Sequence, residues 1–136
     1  MKTVTIKTHG EQFYSITKVI EGALAELAHN ENGVLYIYCP HTSCGLALNE
    51  SFETTAVNDM QEFLKHLAPR NLKFITHTSE GPDDSPSHMK SLLIQNSLTI
   101  FVEQGRLKMG QWQGLYLCEF RDAPKERKMW LKFIKG

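Results

Sequence analysis

The sequence predicts a single α+β domain: a mostly antiparallel or mixed β-sheet sandwich with two main helices and one short helix. Three observations carry this. Strand-like alternation of apolar and polar residues recurs along almost the whole chain, mostly in hairpin order, giving about seven or eight strand segments. Two stretches switch to the period of an amphipathic helix, and a third, shorter one follows a proline-containing loop. The length of 136 residues suits one core and little more, so residues 1–136 read as one domain.

Thr3–Lys7 alternates and reads as a first strand, and Gln12–Ile16 as a second. From Thr17 to His29 the period changes, and Ile20, Ala23, Leu24, Leu27 and Ala28 share one helical face. Asn30-Glu31-Asn32-Gly33 stops that helix with residues that tolerate left-handed backbone. Val34–Cys39 is nearly apolar throughout and is expected to be a central strand covered on both faces, the preceding helix being one cover. In Cys44–Leu48, the next strand, Cys44, Leu46 and Leu48 point one way. Gly45 and Ala47 leave room on the other side for a ligand or a close helix.

Past Glu50 the pattern is helical again. Ala56, Met60, Phe63, Leu64 and Leu67 make an apolar stripe, Ser51 is the expected N-cap, and Pro69 ends the run. Phe74-Ile75-Thr76-His77 is a short apolar run ending on histidine, as Val34–His41 also does. Ser79–Ser87 is loop-like, with two prolines, a glycine and three acids. Ser85 and Pro86 suit N-cap and N1 of a short helix carrying Met89, Leu92 and Leu93 inward. His88 then falls in its first turn, where the helix dipole disfavours the imidazolium form.

Ser97–Val102 is a strand, Glu103–Arg106 a tight turn, and Leu107–Met109 the start of the return. Gly110 to Gly114 interrupts it with two glycines around Trp112. Leu115–Phe120 resumes as a strand, with Glu119 ending the apolar row of Leu115 and Leu117. Lys128–Ile134 is the last strand, with Met129, Leu131 and Phe133 inward.

Bulk properties narrow the function. Lys plus Arg and Asp plus Glu both total 15, so no broad attraction to nucleic acid or anionic lipid is expected. Zero formal net charge also does little to keep copies apart, which favours an oligomer. No stretch approaches the roughly 20 apolar residues of a membrane helix. The N-terminus lacks the apolar run of a signal peptide, and a cytoplasmic location is expected. Cys39, Cys44 and Cys118 are odd in number and lie in apolar segments, so they read as reduced core residues. Cys39 and Cys44 flank His41, which leaves a metal or redox role open for that pair.

His41, His77 and His88 stand where apolar or helical segments meet loops, whereas His9, His29 and His66 read as surface residues. Three imidazoles with one open position suit zinc and its neighbours, but spacing alone does not make these three converge. Glu50, Glu80, Asp83, Asp84 and Glu119 are candidate carboxylates for a harder ion such as magnesium, or for acid–base work. Thr42 and Ser43 offer hydroxyls to a phosphate, and Asn49–Glu50 sits at a strand-to-helix junction where backbone N–H groups can hold an anion. Asp59, at the edge of the second helix stripe, reads equally well as a solvated acid, and Trp112 as a stacking platform or a core anchor. No Walker-type loop or dinucleotide fingerprint is present, and Ser43 near His41 lacks the third group of a nucleophilic triad.

Several of these segments also resemble the YjbQ family, described as secondary thiamine-phosphate synthases. The matching pieces are His41-Thr42-Ser43-Cys44-Gly45-Leu46-Ala47-Leu48-Asn49-Glu50, Asp59, His77-Thr78-Ser79-Glu80-Gly81-Pro82-Asp83-Asp84 and Ser87-His88-Met89-Lys90. They continue through Ser97-Leu98-Thr99-Ile100, Gly105-Arg106-Leu107 and Gly110 to Trp112-Gln113-Gly114-Leu115-Tyr116-Leu117-Cys118-Glu119. The chain departs from the usual pattern at Ser51-Phe52-Glu53-Thr54, where Asn-Ala-Asp-Pro is common, and at Gln95 and Gln111.

The resemblance implies a homotrimer with a site near the subunit boundary, and a weak or secondary synthase activity. That reaction joins hydroxymethylpyrimidine diphosphate to a thiazole phosphate. It implies a centre of His41, His77 and His88 around a divalent metal, zinc or similar, with magnesium conceivable beside a diphosphate. His41, Glu50, Asp59 and Glu119 are then the expected catalytic residues, and Thr42, Ser43, Asn49, Trp112 and Gln113 the expected contacts of a small phosphorylated substrate. Hydrolysis of a small phosphate ester, or ligand binding by a non-catalytic trimer, are the alternatives.

Overall fold

The computed structural model describes residues 1–136. In chain order the elements are β1 (Lys2–Thr8), β2 (Gln12–Ser15), α1 (Thr17–Ala28), β3 (Gly33–Tyr38), β4 (Cys44–Glu50) and α2 (Thr54–Leu67), followed by α3 (Asp84–Leu93), β5 (Ser97–Glu103), β6 (Arg106–Lys108), β7 (Gln113–Glu119) and β8 (Lys125–Lys135). A five-stranded sheet, β1-β8-β3-β5-β6, faces a three-stranded sheet, β2-β7-β4. Every pairing is antiparallel. The α+β sandwich is therefore present, with each expected strand and helix in place and end residues shifted by a few positions.

Between the sheets lies one apolar cluster. Leu35 and Ile37 of β3, Met129 and Leu131 of β8, and Leu98, Ile100 and Val102 of β5 meet Leu115 and Leu117 of β7 and Cys44 and Leu46 of β4. Ile20, Ala23, Leu24 and Ala28 of α1 close it. That helix ends where His29 and Asn30 turn left-handed, at φ 46° and 63°, so the stop anticipated at Asn30 begins one residue earlier.

The strand covered on both faces is β7, not β3. Leu115 and Leu117 enter the sandwich, while Tyr116 and Cys118, with Phe120 beyond, pack beneath Leu64 of α2. In β3 only one side is covered. Tyr36 and Tyr38 point outward at 46% and 42% exposed, beside Phe101, Trp130 and Ile134 on the same sheet face. Tyr38 stacks on Trp130 at 5.6 Å between ring centres. Aromatic content therefore marked an outer face as well as a core.

The helix stripes differ from expectation in the same way. Of the α2 stripe only Leu64 is fully buried, with Phe63 and Leu67 exposed. In α3 the inward residues are Asp84, Pro86, Ser87 and Lys90, while Leu92 and Leu93 are 84% and 59% exposed. A polar ladder docks this helix: Lys90 Nζ donates to Glu11 Oε2 at 2.6 Å, and Ser91 Oγ to the Cys44 carbonyl at 3.0 Å. An apolar count cannot detect a helix held by buried ion pairs.

Two smaller expectations also change. Ser51 is not an N-cap; its Oγ donates to the Trp112 carbonyl, and α2 begins after Glu53 without a side-chain cap. The room beside Gly45 is filled by the residue after α3, since a Cβ there would lie 2.7 Å from Ile94 Cδ1.

Candidate metal centre

The α3 helix sets Asp84 and His88 four residues apart, which places them on one face. The irregular segment before it returns His77 to the same point. Ligand atoms of His77, Asp84 and His88 all lie within 4.8 Å of one another. His77 Nε2 is 2.7 Å from Asp84 Oδ2, and His88 Nε2 is 3.3 Å from Asp84 Oδ1.

Hydrogen bonds around the cluster prepare its atoms as ligands. His88 Nδ1 is 2.8 Å from the Thr42 carbonyl. A carbonyl only accepts, so Nδ1 carries the proton and Nε2 keeps its lone pair. Asp84 is 1% exposed, and its Oδ1 accepts from Arg121 Nη1 at 2.7 Å. Its Oδ2 is buried with no hydrogen-bond partner. His77 Nε2 faces that oxygen at 2.7 Å, and a buried carboxylate oxygen is costly unless a cation, an imidazolium or a metal ion, completes it. Two imidazoles and one carboxylate with open positions fit a divalent transition metal.

Arg121 holds the acidic end in place. Its Nε donates to Asp83 Oδ2 at 2.9 Å and its Nη2 to the Glu80 carbonyl at 3.0 Å. Burial pushes the Asp83 carboxyl up, but the Asp122 N–H and Arg121 outweigh it and keep the group below its usual range.

His41 stands apart from this trio. Its Nε2 accepts the Lys128 N–H at 2.9 Å, so His41 does not join the group, and the candidate ligand set is His77, Asp84 and His88 rather than the expected three histidines. Burial, then the nearby Arg127 charge, lowers the His41 pKa and keeps the ring neutral, with the proton on Nδ1. His41 and His88 share the wall of an open cleft of about 650 Å³, with Thr42, Ser91, Leu92 and Asn96. A separate hollow of about 450 Å³ between α1 and the β5–β6 turn holds no such ligand cluster, and the cleft is the better candidate for chemistry.

The remaining expected residues fall elsewhere. Glu119 is fully buried, and both oxygens are taken: Arg127 Nε and Nη2, Thr8 Oγ1, and the N–H groups of Phe120 and Arg121 all donate to it. Burial raises its pKa, but these donors, Arg127 first, hold it below the usual carboxylate range. It is a core anchor with no lone pair free for acid–base work. Ser43 Oγ serves the same network by accepting from Arg127 Nη2 at 2.9 Å.

Asn49, Glu50, Trp112 and Gln113 lie at the far end of β4 and β7, where Asn49 pairs with Gly114 and Glu50 with Gln113. The seven-residue strand β4 runs from Cys44 to Glu50, so Glu50 lies roughly 20 Å from Cys44. The Glu50 carboxylate accepts the Phe52 and Glu53 N–H groups, occupying the position expected for a bound anion. Gln113 Oε1 closes its own turn by accepting the Gly110 N–H. Trp112 packs edge-on against Phe52 at 4.8 Å and stays half exposed. Asp59 is exposed on α2, matching the solvated-acid reading. Arg121 and Arg127 were missed; the only sequence signal for them was basic residues beside the Glu119 strand.

Comparison with other proteins agrees with this architecture. A model of the UPF0047 protein YjbQ-like family matches residues 2–136. The chain is 38% identical over 120 residues to the UPF0047 protein YjbQ of Escherichia coli O157:H7, covering 88% of this chain and 86% of that one. It is 36% identical to the UPF0047 protein YugU of Bacillus subtilis strain 168, covering 98% of each. Among solved structures, a conserved hypothetical protein of Thermus thermophilus superposes with a TM-score of 0.88 at 36% identity, covering 98% of this chain and all of that one.

Proposed function

The chain belongs to the UPF0047 YjbQ-like family, and from that premise we propose a divalent-metal-dependent enzyme acting on a small phosphorylated substrate. The observation that carries this is the buried Asp84 carboxylate between two imidazoles, its Oδ2 without a hydrogen bond and 2.7 Å from His77 Nε2. A divalent ion held by His77, Asp84 and His88 would supply Lewis-acid charge to a phosphoryl oxygen. Thr42 and Arg121 preset the ligands, so little reorganisation is needed on loading. His41 presents a neutral Nδ1–H on the cleft wall as a donor to substrate.

The specific reaction proposed is thiamine-phosphate synthase-type transfer, in which a pyrimidine C–O bond to diphosphate breaks and a bond to the thiazole nitrogen forms. One observation favours a second reading, hydrolysis of a small phosphate monoester. The cleft lining contains no Lys or Arg, so a diphosphate leaving group has no side-chain cation beside it. We further propose a homotrimer that covers the exposed aromatic face of the five-stranded sheet. The three free thiols support a reducing, cytoplasmic setting; no helix is long and apolar enough to cross a membrane.

The test is turnover of the metal-loaded protein with both synthase substrates and, separately, with small phosphate monoesters. Diphosphate release coupled to thiamine phosphate supports the transferase. Inorganic phosphate from monoesters alone supports the hydrolase. Equal rates before and after exhaustive chelation would rule out both metal-dependent forms.

A further inference from the structure

Cys39 directly follows β3 and Cys44 opens β4, so the two cysteines belong to opposite sheets. Their sulfurs nevertheless lie 3.6 Å apart. Both thiols are free and buried, and Cys44 lines the cleft that holds His88. Cys118 packs in the separate cluster beneath α2. The four residues between Cys39 and Cys44 make three contacts that set the site. His41 Nε2 accepts the Lys128 N–H, the Thr42 carbonyl accepts His88 Nδ1–H, and Ser43 Oγ accepts from Arg127.

We propose that Cys39 and Cys44 are a redox-convertible dithiol whose oxidation to a disulfide changes metal affinity at His88 through Thr42. A disulfide needs sulfurs about 2.05 Å apart, so closure must draw them together by about 1.5 Å. Both flanking strands are tied into sheets, by the β3–β5, β3–β8 and β4–β7 ladders. Side-chain rotation at the two cysteines takes up part of the movement and the short connection the rest, and Thr42 lies inside that connection. A shift of its carbonyl reorients the imidazole that donates to it.

The oxidant is a peroxide, small enough to enter the cleft. One sulfur attacks a peroxide oxygen, the O–O bond breaks, and a sulfenic acid and one water result. The second sulfur displaces that hydroxyl as a second water and forms the S–S bond. Two thiols are oxidised by two electrons, hydrogen peroxide is reduced, and both thiol protons leave in water.

The coupling rests on the metal centre proposed above; formation of the disulfide does not. The experiment treats reduced, full-length protein with a slight excess of hydrogen peroxide and reads intact mass, peptide crosslinks and cobalt(II) affinity. A loss of about 2 Da with a Cys39–Cys44 crosslinked peptide is expected. Cobalt affinity should shift by roughly tenfold, return with dithiothreitol, and show no shift in Cys44→Ala or, as a second variant, Cys39→Ala. A mass gain of oxygen, or no change, overturns the dithiol. A crosslink with unchanged cobalt affinity overturns the coupling. Failure of either form to bind cobalt overturns the metal centre together with the coupling, while the mass result still decides the dithiol.

Discussion

The Thr42 carbonyl lies 2.8 Å from His88 Nδ1, joining the β3–β4 connection to the second turn of α3. That contact fixes the imidazole tautomer and leaves Nε2 directed at the Asp84 carboxylate. The histidine motif after β3 thus acts on the cluster through its backbone, and the helical histidine supplies the candidate ligand atom.

The ligand set can be separated by substitution. Asp84→Asn and His88→Ala should each weaken cobalt(II) or zinc binding by at least about a hundredfold, whereas His41→Ala should keep affinity within a few fold while lowering turnover. Isothermal titration on the folded variants measures this. Tight binding by Asp84→Asn, or its loss in His41→Ala alone, would restore the three-histidine arrangement.

Arg121 reaches Asp83, Asp84 and the Glu80 carbonyl at once. Arg121→Lys keeps the charge but not the fork, so metal affinity should fall roughly 10–100-fold. Circular dichroism should show the fold intact. Wild-type affinity in this variant would mean that charge alone positions Asp84.

Glu119→Gln leaves the Arg127 guanidinium buried without its carboxylate. The expected cost is about 3–5 kcal/mol of unfolding free energy, read by denaturant titration. A loss below about 1 kcal/mol would show that the pair is better solvated than its burial indicates.

Acid sensitivity follows from the same carboxylates. Glu119, Asp83 and Asp122 all titrate below their ordinary values of 4.5, 3.8 and 3.8. Lowered folded pKa values mean that this stability is fully present above the ordinary carboxylate range. It is lost as pH falls through the folded values. Unfolding free energy should therefore be flat in this respect above about pH 5 and drop steeply below about pH 4. The drop should be shallower in Glu119→Gln. A wild-type protein whose stability rises on acidification contradicts the assignment.

The proposed subunit association through the five-stranded sheet predicts that Trp130→Glu, which places charge between Tyr38 and Thr3 on the outer face, converts the proposed trimer to monomer. Light scattering on the eluting protein reads the mass. A trimeric Trp130→Glu variant would place the interface elsewhere.

Periodicity by itself determined the element order, both long helices and the strands of an antiparallel sandwich, because alternation at two or 3.6 residues follows from local backbone geometry. It also marked His77, His88 and the acids of the intervening loop, since polar residues cluster where regular pairing ends. Which groups meet was decided only by tertiary structure. Cβ direction and chain return put Asp84, one turn before His88, into the place expected for His41. Arg127 neutralised Glu119 from another strand, and α3 docked by ion pairs while its leucines faced outward. Strand length separated Glu50 and Trp112 from the histidines by the length of β4. Long-range partners settle whether a polar residue is free or already satisfied, and spacing along a chain carries no record of them.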